Sequence, residues 1–414
     1  MYVRCRGGEK AFMDTKEREL KAILSILSSA LFGNAPELPD GLDWDALFLE
    51  SVAQAVFPLV FQATQELLPG DVKRKWEGFF LQTLTLNIRA FTAHTRIHRL
   101  LTEHGILYVI LKGCASARYY PEPELRTMGD VDLFVDTKDL DRCSELLISR
   151  GFNRIDDGTH DYHRTFTFRH IDYELHWRLT GTPAVGGERI LAYYSNILAD
   201  AAKEDNDNGS FMIPSDFHHG LILLLHTASH LTTTGIGLRH LCDWAVFVER
   251  FSDDAFCERF EACLKEIGLW ELARILTAMC VRYLGASPKR WATGVDEVLA
   301  ERLLDDIWHG GNFGDKDPQR KSYGVLMTDS DTHKIEDRSI LQAFAAAIDR
   351  KAKLYHPKMA ASHVFLPIAW IAVCCRYSWH ALTKQRPWMK FGKDAGAARA
   401  RKELFRQLKL FEDP

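Results

Sequence analysis

The sequence predicts an α+β fold in which a small mixed β-sheet is embedded between helical N- and C-terminal regions. Three observations carry this. Residues 15 to 104 space their apolar side chains three and four apart. The branched apolar runs ILYVILKG (106 to 113) and DVDLFVD (130 to 136) break that period, and helical spacing returns after Pro214-Ser215. The expected units are an N-terminal helical region at 1–104, a small α/β core at 105–185 and a C-terminal helical region at 186–414.

Taken in order, the first helix is expected to start near Thr15, and Pro36, Pro39 and Pro69-Gly70 separate further helices. In LNIRAFTAHTRIHRLLTEHG (86 to 105), Ile88, Phe91, Ile97, Leu100 and Leu101 share one face and Gly105 is the stop. ILYVILKG is continuous and branched, as in a strand buried on both faces. A short helix through Ala115 to Tyr120 follows, then the loop PEPELRTMG and the second strand at 130 to 136. KDLDRCSELLISRG (138 to 151) is an amphipathic helix closed by Gly151. RTFTFR (164 to 169) and IDYELHW (171 to 177) alternate like an antiparallel pair. Ser215 is a natural N-cap for DFHHGLILLLHTASHL, and helices continue to the end except for the loop HGGNFGDKD (309 to 317).

With 414 residues, 46% hydrophobic, 26% charged and a formal net charge of -4, the chain is neither disordered nor fibrous. The same charge argues against a long nucleic acid as partner. The nine cysteines include no CxxC pair, so zinc ribbons and thioredoxin-like motifs are not expected, and reduced thiols point to the cytoplasm. The basic start MYVRCRGGEKAFMD lacks a following apolar core, so no secretory leader is expected. VFLPIAWIAVCC (364 to 375) is too short to span a bilayer and is interrupted by Pro367; it suits a buried or interfacial helix.

Side chains two apart on a strand point the same way, so Asp130 and Asp132 share one face while Val131, Leu133 and Val135 fill the core. Adjacent carboxylates repel unless a cation lies between them, and Mg²⁺ or Mn²⁺ suits oxygen ligands while keeping places for water and phosphate. An isolated DxD is more often a solvated strand edge. Its surroundings shift the balance. Lys112-Gly113-Cys114 ends the first strand and turns into a helix whose first amides can hold a phosphate. Arg126 brings a planar fork suited to phosphate oxygens, and Lys112 is a second candidate cation. IDYELHW then places Asp172, Glu174 and His176 on one face, so a third carboxylate joins the pair, and the residues alone leave Asp172 and Glu174 both open. Three converging carboxylates can hold two metals for in-line displacement at phosphorus. His176 can orient an acid or touch substrate, although a strand histidine is more often structural.

With these residues in view, the chain resembles the polymerase-β-like nucleotidyltransferase superfamily, matched at Gly113, Asp130, Asp132 and Glu174. Within it, the chain resembles the bacterial uncharacterised nucleotidyltransferase family over roughly residues 45 to 380. The narrower resemblance rests on LKG (111 to 113), YYPEPELRTMGDVDLFV (119 to 135), YELHW (173 to 177), GLRHLCDW (237 to 244) and GGNFG (310 to 314). It implies a nucleotidyltransferase core that moves a nucleoside monophosphate from a nucleoside triphosphate such as ATP to a hydroxyl. The acceptor is left open among a small molecule, a glycan precursor, a protein and an RNA end.

Superfamily placement favours Glu174 as third acid. It also implies Asp130, Asp132 and Glu174 as catalytic and metal-binding residues, with Lys112, Gly113, Cys114 and Arg126 around the nucleotide. One departure is Cys114, which stands where the superfamily has serine; a thiol is a poor phosphate contact. Ser116 is expected on the wrong side of the turn, and Lys112 is the candidate replacement. That departure keeps open a catalytically silent nucleotide-binding module of the same fold, with a metal-dependent phosphohydrolase as a further alternative.

Five weaker signals favour roles outside the chemistry. His226 and His230 have the spacing of a metal pair but lack the glutamate of HExxH. Arg239 and Asp243 fall four apart on one helix face, suiting an ion pair or a cleft wall. GGNFG is ordinarily a turn, with nucleotide contact the less common role. From Arg376 onward basic residues outnumber acids, as on a solvated amphipathic helix, with a nucleic-acid or lipid-headgroup patch as the alternative. His160-Asp161 precedes a strand, unlike the helical dipeptide of HD phosphohydrolases.

Overall fold

The computed structural model describes residues 6–155, 162–183, 187–317, 319–320, 339–362, 364–383 and 391–412. His160-Asp161 lies outside them. The N-terminal helices are α1 (Arg6–Phe32), α2 (Trp44–Ala53), α3 (Phe57–Thr64) and α4 (Gly70–Glu103). Helix α1 starts well before the expected Thr15. On α4, Phe91, Ile97, Leu100 and Leu101 are buried as the period requires, whereas Ile88 is exposed, because the buried stripe runs through Asn87, Ala90 and His94 instead.

A five-stranded mixed sheet follows, built from β1 (Tyr108–Ile110), β2 (Val131–Val135), β3 (Asn153–Arg154), β4 (His163–Phe168) and β5 (Ile171–His176) in the order β1-β2-β5-β4-β3. Helix α5 (Cys114–Ala117) and helix α6 (Leu140–Ser149) connect the early strands. Strands β4 and β5 pair antiparallel, as their alternation predicts. Strands β2 and β5 run parallel, with Asp132 directly beside Glu174. Val131, Leu133, Val135, Tyr173 and Leu175 pack one sheet face against Ala90, Phe91, Ile97 and Leu101 of α4. That leaves the other face for Asp132 and Glu174.

After α7 (Glu188–Tyr194), a hairpin of β6 (Ala202–Asn206) and β7 (Gly209–Ile213) lies in a segment expected to be helical. AKEDN carries no apolar alternation to betray it; the signal sits only in Phe211 and Ile213, which join the core formed with α4 and the sheet. Helices α8 (Asp216–Thr232), α9 (Leu238–Val248), α10 (Asp253–Phe256), α11 (Ala262–Glu266), α12 (Trp270–Leu284) and α13 (Glu297–Gly310) follow. Ser215 caps α8 as expected, accepting from the His218 amide. Together with α1 and α3 these helices form the second, larger core. Fully buried Gln54 fixes the start of α9: its Oε1 accepts from the Leu238 amide at 3.0 Å and its Nε2 donates to the Trp308 carbonyl at 3.1 Å. The last helices are α14 (Ile340–Tyr355), α15 (Pro357–Ala360), α16 (Leu366–Leu382) and α17 (Phe391–Gln407). Among the described residues, no helix is long and apolar enough to cross a membrane.

Candidate active site

A cavity of about 260 Å³ opens over the polar face of the sheet, between β2, β5 and the helices α8 and α9. Oxygens of Asp130, Asp132 and Glu174 lie within 4.8 Å of one another on its floor. Asp130 immediately precedes β2; Asp132 sits inside it; Glu174 is its neighbour across the parallel ladder. Asp172, also on β5, is exposed beside Thr167 and does not join the group.

The charges around the acids explain how three carboxylates are tolerated together. The Lys112 ammonium is 3.0 Å from Asp132 Oδ2, and His176 Nε2 is 3.1 Å from both Asp132 Oδ1 and Glu174 Oε2, so one imidazole N–H is shared by two acids. Burial alone would raise Asp132, but Lys112 and His176 outweigh it and hold that carboxyl well below its usual range. Burial also works against charge on His176 and Lys112, and the surrounding carboxylates raise both in spite of it. Among the described residues no cation forms an ion pair with Asp130, and the Lys112 charge only partly offsets what raises it. The Asp132 charge beside it, with burial second, pushes it up to about 6. An acid triad with one member short of a counter-charge is a fitting donor set for a divalent cation. A second group, His163, Glu174 and His176, also meets within 4.8 Å and shares Glu174 with the first.

The turn after β1 differs from expectation. Gly113 has φ +58°, and a Cβ there would come 2.9 Å from His94 Nε2, so the glycine is required by backbone shape and by close packing. The amides of Ala115 and Ser116 are taken by the carbonyls of Lys112 and Gly113. Cys114 points into the core with Ala93 and Ile110, its thiol raised by burial, and it does not line the cavity. Ser116, expected on the wrong side of the turn, does line it, and among the described residues nothing hydrogen-bonds its buried Oγ. A hydroxyl thus reaches the cavity from position 116, whereas position 114 offers a thiol turned into the core.

The cations also differ. Arg126 is buried and bidentate to Asp243, both contacts at 2.7 Å, and Tyr120 donates to the same carboxylate at 2.7 Å. Asp243 thus pairs with Arg126 and not with Arg239, because α9 packs against the loop before β2. Arg239 donates to the Thr127 carbonyl at 3.0 Å, lies over the Phe313 ring at 5.4 Å and lines the cavity. Among the described residues no carboxylate forms an ion pair with it. Burial, then repulsion from Arg126, lowers its pKa.

The opposite wall is made of imidazoles. His226 Nε2 is 3.1 Å from Lys112 Nζ and 2.9 Å from His230 Nε2, and the buried His240 nitrogens have no hydrogen-bond partner among the described residues. Burial, followed by nearby cations, holds His226 and His240 far below the usual imidazole range. Neutral rings beside Lys112 and Arg239 do not suit a cation, and His226 and His230 belong to neither metal-competent group among the described residues. Phe313 of the GGNFG loop, at φ +56°, closes this wall against all three histidines.

A sequence profile of the family described as uncharacterised nucleotidyltransferase matches residues 40–285. The chain belongs to that family. The nucleotidyltransferase match spans α2 to α12, including both acid-bearing strands and α9. No curated protein matches the chain. A solved antigenic nucleotidyltransferase-like protein from Paracoccidioides brasiliensis is similar over 50% of this chain and 97% of its own, at 14% identity and a TM-score of 0.33, a likeness too loose to carry inference. Of the residues lining the cavity, His163 had not stood out in the sequence, Ser116 was expected on the wrong side of the turn, and His240 and Phe313 entered only as parts of the quoted GLRHLCDW and GGNFG.

Proposed function

We propose that this nucleotidyltransferase-family protein transfers a nucleoside monophosphate from a nucleoside triphosphate to a hydroxyl of a small molecule, a glycan precursor or a protein. The observation that carries the proposal is the convergence of Asp130, Asp132 and Glu174 in a cavity that also holds Arg239, a cation that no carboxylate pairs with among the described residues. Asp130, Asp132 and Glu174 would hold Mg²⁺ or Mn²⁺. The ion would supply charge stabilisation at the phosphoryl group and a more acidic acceptor hydroxyl. Lys112 and His176 keep Asp132 ionised, and His176 fixes the orientation of Glu174. Glu174 takes the proton from the acceptor. Arg239 and the Ser116 hydroxyl face the triphosphate oxygens. Arg126, its fork already filled by Asp243, positions the loop that delivers Asp130 and does not touch phosphate.

The test is pyrophosphate release by purified protein with each nucleoside triphosphate, Mg²⁺ or Mn²⁺ and a metabolite extract as acceptor source. Glu174→Gln is expected to lose about a hundredfold or more in rate, and Asp172→Asn to stay near wild type. The larger loss at Asp172 would reverse the choice of third acid. Silence across the panel with nucleotide still bound would favour the catalytically silent module, and phosphate release without acceptor a phosphohydrolase.

A pH dependence follows from Asp130. Its carboxyl, raised to about 6, must shed a proton before it can bind a cation. Mn²⁺ affinity measured by calorimetry is expected to rise with pH, about tenfold per unit below pH 6, and to level off above it. A flat profile through pH 6 would remove Asp130 from the ligand set.

A further inference from the structure

Helix α16 buries one stripe and exposes another. Ala369 and Val373 pack against Ala352 of α14 in a small core of their own. On the other side Phe365, Ile368, Ile371, Cys375, Trp379 and Leu382 follow one another at three-to-four spacing and face solvent, with Ile371 63% and Trp379 64% exposed. A continuous apolar face of this kind marks a surface that meets something. The feature lies outside the stretch matched by the nucleotidyltransferase family, residues 40–285, so the common core does not require it.

The charges alongside decide between occupants. Across 340–383, Arg350, Lys351, Lys353, Lys358 and Arg376 stand against a single acid, Asp349, in a chain whose formal net charge is -4. A second copy of the chain would bring two basic segments together. An anionic surface would complement them. Exposed Trp379 supplies an aromatic ring of the kind that favours the boundary between water and acyl chains. The helix is 17 residues long, and among the described residues no helix is long and apolar enough to cross a membrane, so its apolar stripe suits contact along a surface.

We infer that α16 is a docking surface for anionic phospholipid, inserting its Ile371–Trp379 stripe among the acyl chains while the lysines and arginines of α14 to α16 meet the headgroups. This holds whether or not the nucleotidyl-transfer proposal is right.

The experiment is co-sedimentation of the full chain with vesicles of phosphatidylcholine alone and of phosphatidylcholine mixed with phosphatidylglycerol, beside the I371D/W379D variant. Both substituted positions are exposed, and thermal melting checks that the variant is folded. Wild type is expected to pellet with the mixed vesicles, to partition at least about tenfold less onto neutral ones, and to be released by added salt. The variant is expected to stay in the supernatant. Failure of wild type to bind anionic vesicles, or binding undiminished in the variant, overturns the inference. So does a wild-type dimer in light scattering that the variant splits, which would assign the stripe to a second copy.

Discussion

Asp132→Asn is expected to abolish nucleotidyl transfer, lowering kcat/KM by about a thousandfold or more. The substitution keeps the size of the side chain and removes its charge. Asp132 is the acid on which everything else at the floor converges: Lys112 at 3.0 Å on one oxygen and His176 at 3.1 Å on the other. An amide in its place would keep one acceptor oxygen and offer an N–H to the other donor, so Lys112 or His176 would lose its acceptor. Lys112 keeps His226 at 3.1 Å and His176 keeps Glu174 at 3.1 Å, so the fold retains partners for both. Rate measurement and thermal melting on the same preparation separate the outcomes. A variant that melted earlier yet turned over at the wild-type rate would make the carboxylate a structural group.

Asp243→Ala is expected to cost about 3–5 kcal/mol of folding stability, the scale for removing one partner of a buried ion pair. The loss would strand the Arg126 guanidinium and the Tyr120 hydroxyl, all three groups being buried. Chemical denaturation measures it directly. Arg126→Met should cost a similar amount through the stranded carboxylate, while D243L/R126M should recover much of it, since an apolar pair leaves no orphaned charge. If Arg126→Met melted like wild type and lost only nucleotide affinity, Arg126 would be the phosphate contact that its sequence position first suggested.

These two variants touch the part of the site that was legible in the sequence and the part that was not. The sheet was legible because Asp130, Asp132 and Glu174 sit in period-two patterns, where local alternation fixes the face a side chain takes. Glu174 over Asp172 needed the parallel register of β2 and β5, which no local pattern encodes. The pairing of Arg126 with Asp243 joins residues 117 apart in the chain, and helical spacing pointed instead to the near neighbour Arg239. Ser116 was misplaced because a four-residue helix is too short for its period to predict a direction. The β6–β7 hairpin escaped because its first strand is polar on both faces.

The parallel pairing of Asp132 with Glu174 has a mechanical consequence. Their separation is set by interstrand hydrogen bonds, about 4.8 Å between backbones, and so is stiff. Asp130 lies outside the strand, at the end of the loop that Arg126 ties to α9. Two of the three acids are thus fixed by the sheet and the third hangs on a tether. If the three hold a cation as proposed, selection among ions of different radius falls to the tether, and substitutions in residues 127 to 129 should alter which ion is preferred without disturbing the other two acids.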